Sequence, residues 1–83
     1  MKSVKYFSAE WCGPCKVFKP IMEEIASEGH SIQFVDIDQQ KELAEQYNIR
    51  SVPTTIVFEN NNEIERFIGT QSKETILESV SWR

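Results

Sequence analysis

The chain has 83 residues, of which 40% are hydrophobic and 27% charged, and its 9 basic and 13 acidic side chains give a net charge of −4. A chain of this length supports one modest core, which predicts a single domain over residues 1–83 and excludes a two-domain enzyme. The acidic balance argues against nucleic acid or an anionic membrane as a partner. Because no segment resembles a membrane span or a signal peptide, we expect a cytoplasmic protein.

Residues 3–8 are predicted to form a strand, and the two cysteines of the chain follow its end. Beyond them, apolar side chains recur at helical spacing and predict an amphipathic helix over residues 13–28. Pro20 should bend this helix, and Gly29 suits its end. Residues 31–37 are predicted to form a second strand, and a helical crossover makes the first two strands parallel.

Asp38 is predicted to cap a short second helix that follows the second strand. Residues 54–59 and 63–68 read as two further strands, and the asparagines at 60–62 favour a turn between them. The second half of the chain is therefore expected to contain a hairpin.

A last helix is predicted after Ser72, with Glu74 helping to cap its start. Trp82 is expected to pack against this helix or to fray from its end. The predicted order is strand, helix, strand, helix, strand, strand, helix.

The two cysteines lie three positions apart, in Cys12-Gly13-Pro14-Cys15. A disulfide across so short a loop removes little entropy from the unfolded chain, so a purely structural bridge contributes little stability. A structural zinc site needs four ligands, and His30 is the only further Cys or His, which excludes a complete site within one chain. A metal shared between two chains remains an alternative, and the favoured interpretation is thiol-disulfide redox chemistry.

The first cysteine is predicted to be the nucleophile, because a sulfur at a helix N-terminus meets unpaired backbone N–H groups and the positive end of the helix dipole. Cys12 would attack a substrate disulfide and Cys15, one turn deeper and less exposed, would resolve the mixed disulfide. Gly13 and Pro14 set the turn between them. His30 belongs at the far end of the helix, so we expect no catalytic role for it.

The segment Trp11 to Lys16 closely resembles the active-site signature of the thioredoxin family. Pro20 lies where thioredoxins kink this helix, the segment from Ile49 to Thr54 resembles the loop with their cis-proline, and Gly69 resembles the glycine after their last strand. The resemblance covers residues 7–70 and implies a minimal thioredoxin-like α/β fold, a four-stranded mixed sheet in the order β-α-β-α-β-β-α with helices on both faces. The early cysteine pair makes the chain similar to glutaredoxins and to short phage or archaeal thioredoxin-like proteins.

Two charged positions of the family are replaced in this sequence. Tyr6 falls where thioredoxins keep a buried aspartate beneath the cysteines, and Phe34 falls at the position of its lysine partner. Glu10 is one candidate to accept or relay the proton of the inner cysteine, and the Tyr6 hydroxyl is another, with plain core packing as its alternative. Lys16 either adds positive charge near the pair or is a solvated helix lysine.

Substrate recognition is expected to rest on shape and backbone. A cis Val52-Pro53 bond would present the Val52 main chain to a substrate segment, with an ordinary trans proline as the alternative. Trp11 is expected in an exposed apolar rim with Pro14 and Gly69, with core packing as its alternative. The predicted substrate-binding residues are Trp11, Gly13, Pro14, Val52, Pro53 and Gly69.

The favoured function is a monomeric protein-disulfide reductase of thioredoxin type that acts on protein disulfides. The resemblance implies no bound cofactor and recharging by a thioredoxin reductase, which uses NADPH. One alternative is a glutathione-dependent enzyme like glutaredoxin, although the sequence Gly69-Thr70-Gln71 lacks the glycine pair and acidic residue that glutaredoxins use to hold glutathione. Another is an assembly or processivity partner that acts without redox chemistry.

Overall fold

The computed structural model describes residues 1–81, and Trp82 therefore lies outside the described residues. The chain forms seven elements in the predicted order: β1 Lys2–Ser8, α1 Gly13–Ser27, β2 Ile32–Asp36, α2 Lys41–Gln46, β3 Thr54–Glu59, β4 Asn62–Ile68 and α3 Lys73–Ser81. The four strands make one mixed sheet in the order β2-β1-β3-β4. β1 pairs in parallel with β2 and antiparallel with β3, which pairs antiparallel with β4.

The two faces of β1 separate two apolar clusters, because successive side chains of a strand point to opposite faces. Tyr6 and neighbouring residues pack against α1 and α3, whereas Phe7 packs in the cluster that includes Leu43 of α2. Helices therefore cover both faces, as in the predicted α/β fold. Within residues 1–81, no helix combines the length and apolar character that crossing a bilayer requires.

The helix α1 starts directly after a short turn at the end of β1, and this connection positions the cysteine pair. The Cys12 N–H donates to the Ala9 carbonyl at 3.2 Å and closes the turn. Pro20 lies inside α1, and Gly29 follows its end with a φ of 105°, a value that glycine adopts without the steric cost of a Cβ atom.

Two predicted helix caps differ from the structure. Asp38 is not the cap of α2, because the helix starts later and its N-cap is Gln40, which makes no side-chain capping bond. At α3 the Ser72 hydroxyl caps the helix by accepting the Thr75 N–H at 3.1 Å. Its side-chain partner is the Thr75 hydroxyl at 2.9 Å, so the expected role of Glu74 is wrong.

Candidate redox site

Cys12 and Cys15 are joined by a disulfide at the start of α1, with their Cα atoms 5.3 Å apart. Cys12 is the N-cap residue, with an extended backbone, and Cys15 lies in the first helical turn. Both residues are nearly inaccessible in this oxidised form, with exposed fractions of 4% and 3%. Exposure therefore does not distinguish them, and their positions relative to the helix do.

The Cys12 sulfur occupies the position in which the start of the helix stabilises negative charge. The Cys15 backbone N–H donates to Cys12 Sγ at 3.1 Å, a bond that uses one of the four unpaired donors of the helix. The first turn of α1 contains no acidic side chain to oppose an anion there. Lys16, the next residue, is exposed. This local arrangement favours a thiolate at Cys12 when the disulfide is reduced.

The loop that precedes β3 also approaches the disulfide. The Val52–Pro53 peptide bond is cis, and the Val52 carbonyl oxygen lies 3.7 Å from Cys12 Sγ. The Gly69 N–H donates to the Pro53 carbonyl at 2.8 Å, which fixes the end of β4 beside this loop. Gly69 has a φ of 93°. Residues about 40 and 55 positions away in sequence are thus brought near the cysteine pair.

Trp11 is exposed over 67% of its surface, so core packing of this side chain is wrong. Its indole N–H donates to Asp38 Oδ2 at 2.8 Å. That contact accounts for Asp38, which sequence reasoning placed at a helix cap. Pro14 is exposed beside the pair, and Ile68 is exposed over 66% of its surface next to Gly69. Sequence reasoning missed Ile68 because it reads as an ordinary apolar strand residue.

Tyr6 lies on the buried side of the cysteine pair, at the position where the sequence resemblance places the buried aspartate of thioredoxins. Its side chain is fully buried, and its hydroxyl donates to the Cys15 carbonyl at 3.3 Å. The ring makes edge-on contacts with Phe18 and Phe34, with centroids 5.6 Å and 5.7 Å away. Burial, and after it the negative charge of Glu23, raises the pKa of Tyr6 from 10.0 to about 12. The group beneath the disulfide is therefore neutral over the physiological pH range.

Glu10 and His30, the remaining candidates from the sequence, lie before and beyond α1. Glu10 is exposed in the turn before Trp11, and His30 is half-buried beyond Gly29, at the opposite end of α1. Among residues 1–81, no group of three or more Cys, His, Asp or Glu side chains is arranged to hold a metal ion.

Comparisons with known proteins agree with this geometry. The Thioredoxin family matches residues 2–81. A thioredoxin of Chlamydia trachomatis is 42% identical over 77 residues, which cover 90% of this chain and 76% of the relative. The bifunctional thioredoxin reductase/thioredoxin of Mycobacterium leprae is 37% identical over 78 residues, covering 90% of this chain and 17% of that protein.

The solved structures give the same result. A mutant thioredoxin from Halobacterium salinarum superposes with a TM-score of 0.90 at 28% identity, over 96% of this chain and 72% of that one. Family members perform thiol-disulfide exchange with their cysteine pair and need no bound cofactor. The chain therefore belongs to the thioredoxin family and is a protein thiol-disulfide oxidoreductase with Cys12 and Cys15 as its redox-active pair.

Proposed function

We propose that Cys12 is the attacking thiolate and Cys15 the resolving thiol in the reduction of protein disulfides. The observation that carries this assignment is the 3.1 Å hydrogen bond from the Cys15 N–H to Cys12 Sγ at the start of α1. A backbone donor and the helix dipole both act on the outer sulfur, and the inner sulfur follows one turn later.

The reaction proceeds as two exchanges. The Cys12 thiolate attacks one sulfur of the substrate disulfide, forms a mixed disulfide and releases the other substrate sulfur as a thiolate. The Cys15 thiol then loses its proton and its sulfur attacks Cys12 Sγ, which breaks the mixed disulfide. The substrate leaves with two thiols after proton uptake, and the two electrons it gained come from Cys12 and Cys15, which are oxidised to a disulfide.

The substrate is proposed to dock on the surface beside the disulfide. The exposed Trp11 and Ile68 side chains, together with Pro14, provide an apolar area suited to transient contact. The Val52 backbone lies close enough to Cys12 Sγ to pair with an extended substrate segment while its disulfide is attacked. Gly13, Pro53 and Gly69 complete the proposed substrate-binding residues.

The oxidised pair is proposed to be reduced by a thioredoxin reductase that draws on NADPH. The relative from Mycobacterium leprae, whose name joins a thioredoxin reductase to a thioredoxin, supports this partner. We further propose that residues 1–83 act as one monomeric domain in the cytoplasm, with no nucleic acid or membrane partner.

Reduction of insulin disulfides tests the proposal, with NADPH and thioredoxin reductase in one arm and glutathione with its reductase in the other. We expect the first arm to drive turnover far better, and we expect Cys12→Ser with Cys15→Ser to abolish it. Faster turnover with glutathione would favour a glutaredoxin-like enzyme. A double variant that keeps the biological role would favour an assembly partner.

A further inference from the structure

A groove of about 500 Å³ opens beside the inner cysteine, between the first turns of α1 and the end of β2. Cys15 lines this groove, together with four charged side chains: Glu10, Lys16, Lys19 and Asp36. A polar groove of this size admits several water molecules, since each takes up about 30 Å³ in the liquid. Cys15, although only 3% exposed, therefore lines a water-accessible space, and Val52 is not among the residues that line it.

The inner cysteine must give up a proton before it attacks, because the thiolate is the nucleophile in disulfide exchange. An acceptor must therefore be within reach of Cys15 while the mixed disulfide is present. The question for this chain is which group takes the proton.

The buried side of the pair supplies no such acceptor. Tyr6 donates its hydroxyl proton to the Cys15 carbonyl, and its raised pKa keeps it neutral. Thr55, paired with Tyr6 across β1 and β3, adds a second buried hydroxyl, whose Oγ1 has no hydrogen-bond partner. Among residues 1–80, Thr54 and Thr55 are the residues of the polar and charged types that are buried, so no buried carboxylate lies beneath the pair.

Two carboxylates line the groove, and they differ in whether they already accept hydrogen bonds. Asp36 Oδ1 already accepts the backbone N–H groups of Asp38 at 2.8 Å and Gln39 at 3.3 Å. The Glu10 carboxylate makes no hydrogen bond or ion pair with any residue in the described part of the chain. Its backbone is held near the pair by the turn that joins Ala9 to Cys12.

We propose that the Cys15 proton leaves through this groove and that Glu10, through water, is its acceptor during resolution of the mixed disulfide. The charged groups facing the path are Lys16 and Lys19 from α1 and Asp36 from β2. Tyr6 of β1 contacts the Cys15 carbonyl on the buried side of the pair and does not line the groove. This inference rests on the roles proposed above for Cys12 and Cys15.

The step balances without a further reactant. The Cys15 S–H bond breaks and its proton passes by way of water to the Glu10 carboxylate. The Cys15 sulfur bonds to Cys12 Sγ, and the bond from Cys12 to the substrate sulfur breaks. The departing substrate thiolate takes up a proton from solvent, and Glu10 returns its own proton to the water of the groove.

The test is stopped-flow reaction of the reduced protein with an aromatic disulfide, 5,5′-dithiobis(2-nitrobenzoate). The first release of coloured thiolate reports attack by Cys12, and the second reports resolution by Cys15. Glu10→Gln should slow the second release by about 3–10-fold near neutral pH and leave the first nearly unchanged. The deficit should shrink as the pH rises, because hydroxide becomes available to take the Cys15 proton in place of Glu10.

Three controls separate proton transfer from a general loss of charge or structure. Glu45→Gln removes the same charge from exposed α2, outside the groove, and should leave both releases unchanged. Glu10→Asp should retain most of the rate. Added imidazole should accelerate resolution in Glu10→Gln more than in the unchanged protein, because it supplies a base that enters the groove.

Resolution by Glu10→Gln at the unchanged protein's rate over the whole pH range would overturn the inference and leave the proposed function intact. Slowing by Asp36→Asn in place of Glu10→Gln would also overturn it. If the unchanged protein shows no first release, the proposed roles of the cysteines fail, and the inference fails with them.

Discussion

A buried tyrosine hydroxyl next to a redox pair has different consequences from a buried carboxylate. The Tyr6 hydroxyl donates its one hydrogen bond to the Cys15 carbonyl, and its ring contacts the rings of Phe18 and Phe34. Tyr6 therefore contacts the start of α1 without adding charge. Its partner on β2 is Phe34, and its partner on β3 is the neutral Thr55. The charge on the buried side of the disulfide is therefore zero at physiological pH.

Replacing Tyr6 with Phe should lower the free energy of unfolding by about 1 kcal/mol at neutral pH, because one buried hydrogen bond is lost. The sign of the effect of pH follows from the pKa, which the fold raises to about 12. The protonated hydroxyl is favoured by the fold, so its contribution is complete below about pH 10 and is lost as the pH rises through about 12. Urea unfolding gives the free energy of unfolding at about pH 8 and about pH 11.5. Between these two pH values, it should fall by on the order of 2 kcal/mol more in the unchanged protein than in Tyr6→Phe. Equal losses in both proteins would contradict the assigned environment.

Sequence reasoning at the residue scale worked where the local pattern carries the chemistry. The spacing of Cys12 and Cys15 and the helix that follows them were enough to predict a redox pair with its outer sulfur at the helix start. The contact between Trp11 and Asp38 could not be predicted, because it joins two loops whose relative position depends on the pairing of β1 with β2. The groove beside Cys15 could not be predicted for the same reason.

The elements follow local chemistry closely, and the exceptions are at short helices. β3 matches its predicted bounds, and α1 ends one residue before its predicted end. The six-residue α2 has no side-chain cap, and its start at Lys41 depends on how the preceding turn is folded. Asp36 organises that turn by accepting two backbone N–H groups, a function that Asp38 would equally suit on sequence alone.

The hairpin turn between β3 and β4 offers a test of local backbone preference. Asn60 and Asn61 have φ values of 53° and 73°, and Glu59 pairs with Asn62 across the turn. Asn61→Ala should lower the free energy of unfolding by about 1–2 kcal/mol, because asparagine offsets the cost of this left-handed φ with local side-chain hydrogen bonds that alanine cannot make. Asn61→Gly should be neutral or stabilising by up to about 1 kcal/mol. Urea midpoints at constant slope give both values, and equal destabilisation by both substitutions would contradict this interpretation.

In the molecule as a whole, the sheet separates two apolar clusters, and the cysteine pair lies where β1 is joined to α1. β1 is central to this arrangement, because it pairs with both β2 and β3 and contributes side chains to both clusters. The predicted element order was sufficient for the parallel pairing of β1 and β2. It did not reveal that Thr55 would be fully buried on the same cross-strand row as Tyr6, which depends on the register of β1 and β3.

Attachment of α3 should depend on its apolar residues far more than on its ion pairs. Ile76 is fully buried against the α1 face, so Ile76→Ala should cost about 2–5 kcal/mol and lower the Tm by about 10 °C or more. Lys73 joins Glu28 at 2.7 Å and Glu24 at 3.2 Å on the surface. Water and salt screen such pairs, so Lys73→Met should have little measurable effect. Thermal unfolding monitored by circular dichroism gives the Tm of both variants. A similar decrease in Tm in both would contradict the greater contribution assigned to the buried apolar residue.

The proposed chemistry requires that the start of α1 stabilise negative charge on the Cys12 sulfur. The direct measurement is the rate of alkylation of Cys12 by iodoacetamide as a function of pH, in the Cys15→Ser variant and in an unstructured peptide containing residues 9–17 with the same substitution. We predict that the folded protein reaches half of its maximal rate at a lower pH than the peptide, whose cysteine should titrate near about 8.5. A midpoint equal to or above that of the peptide would contradict the account.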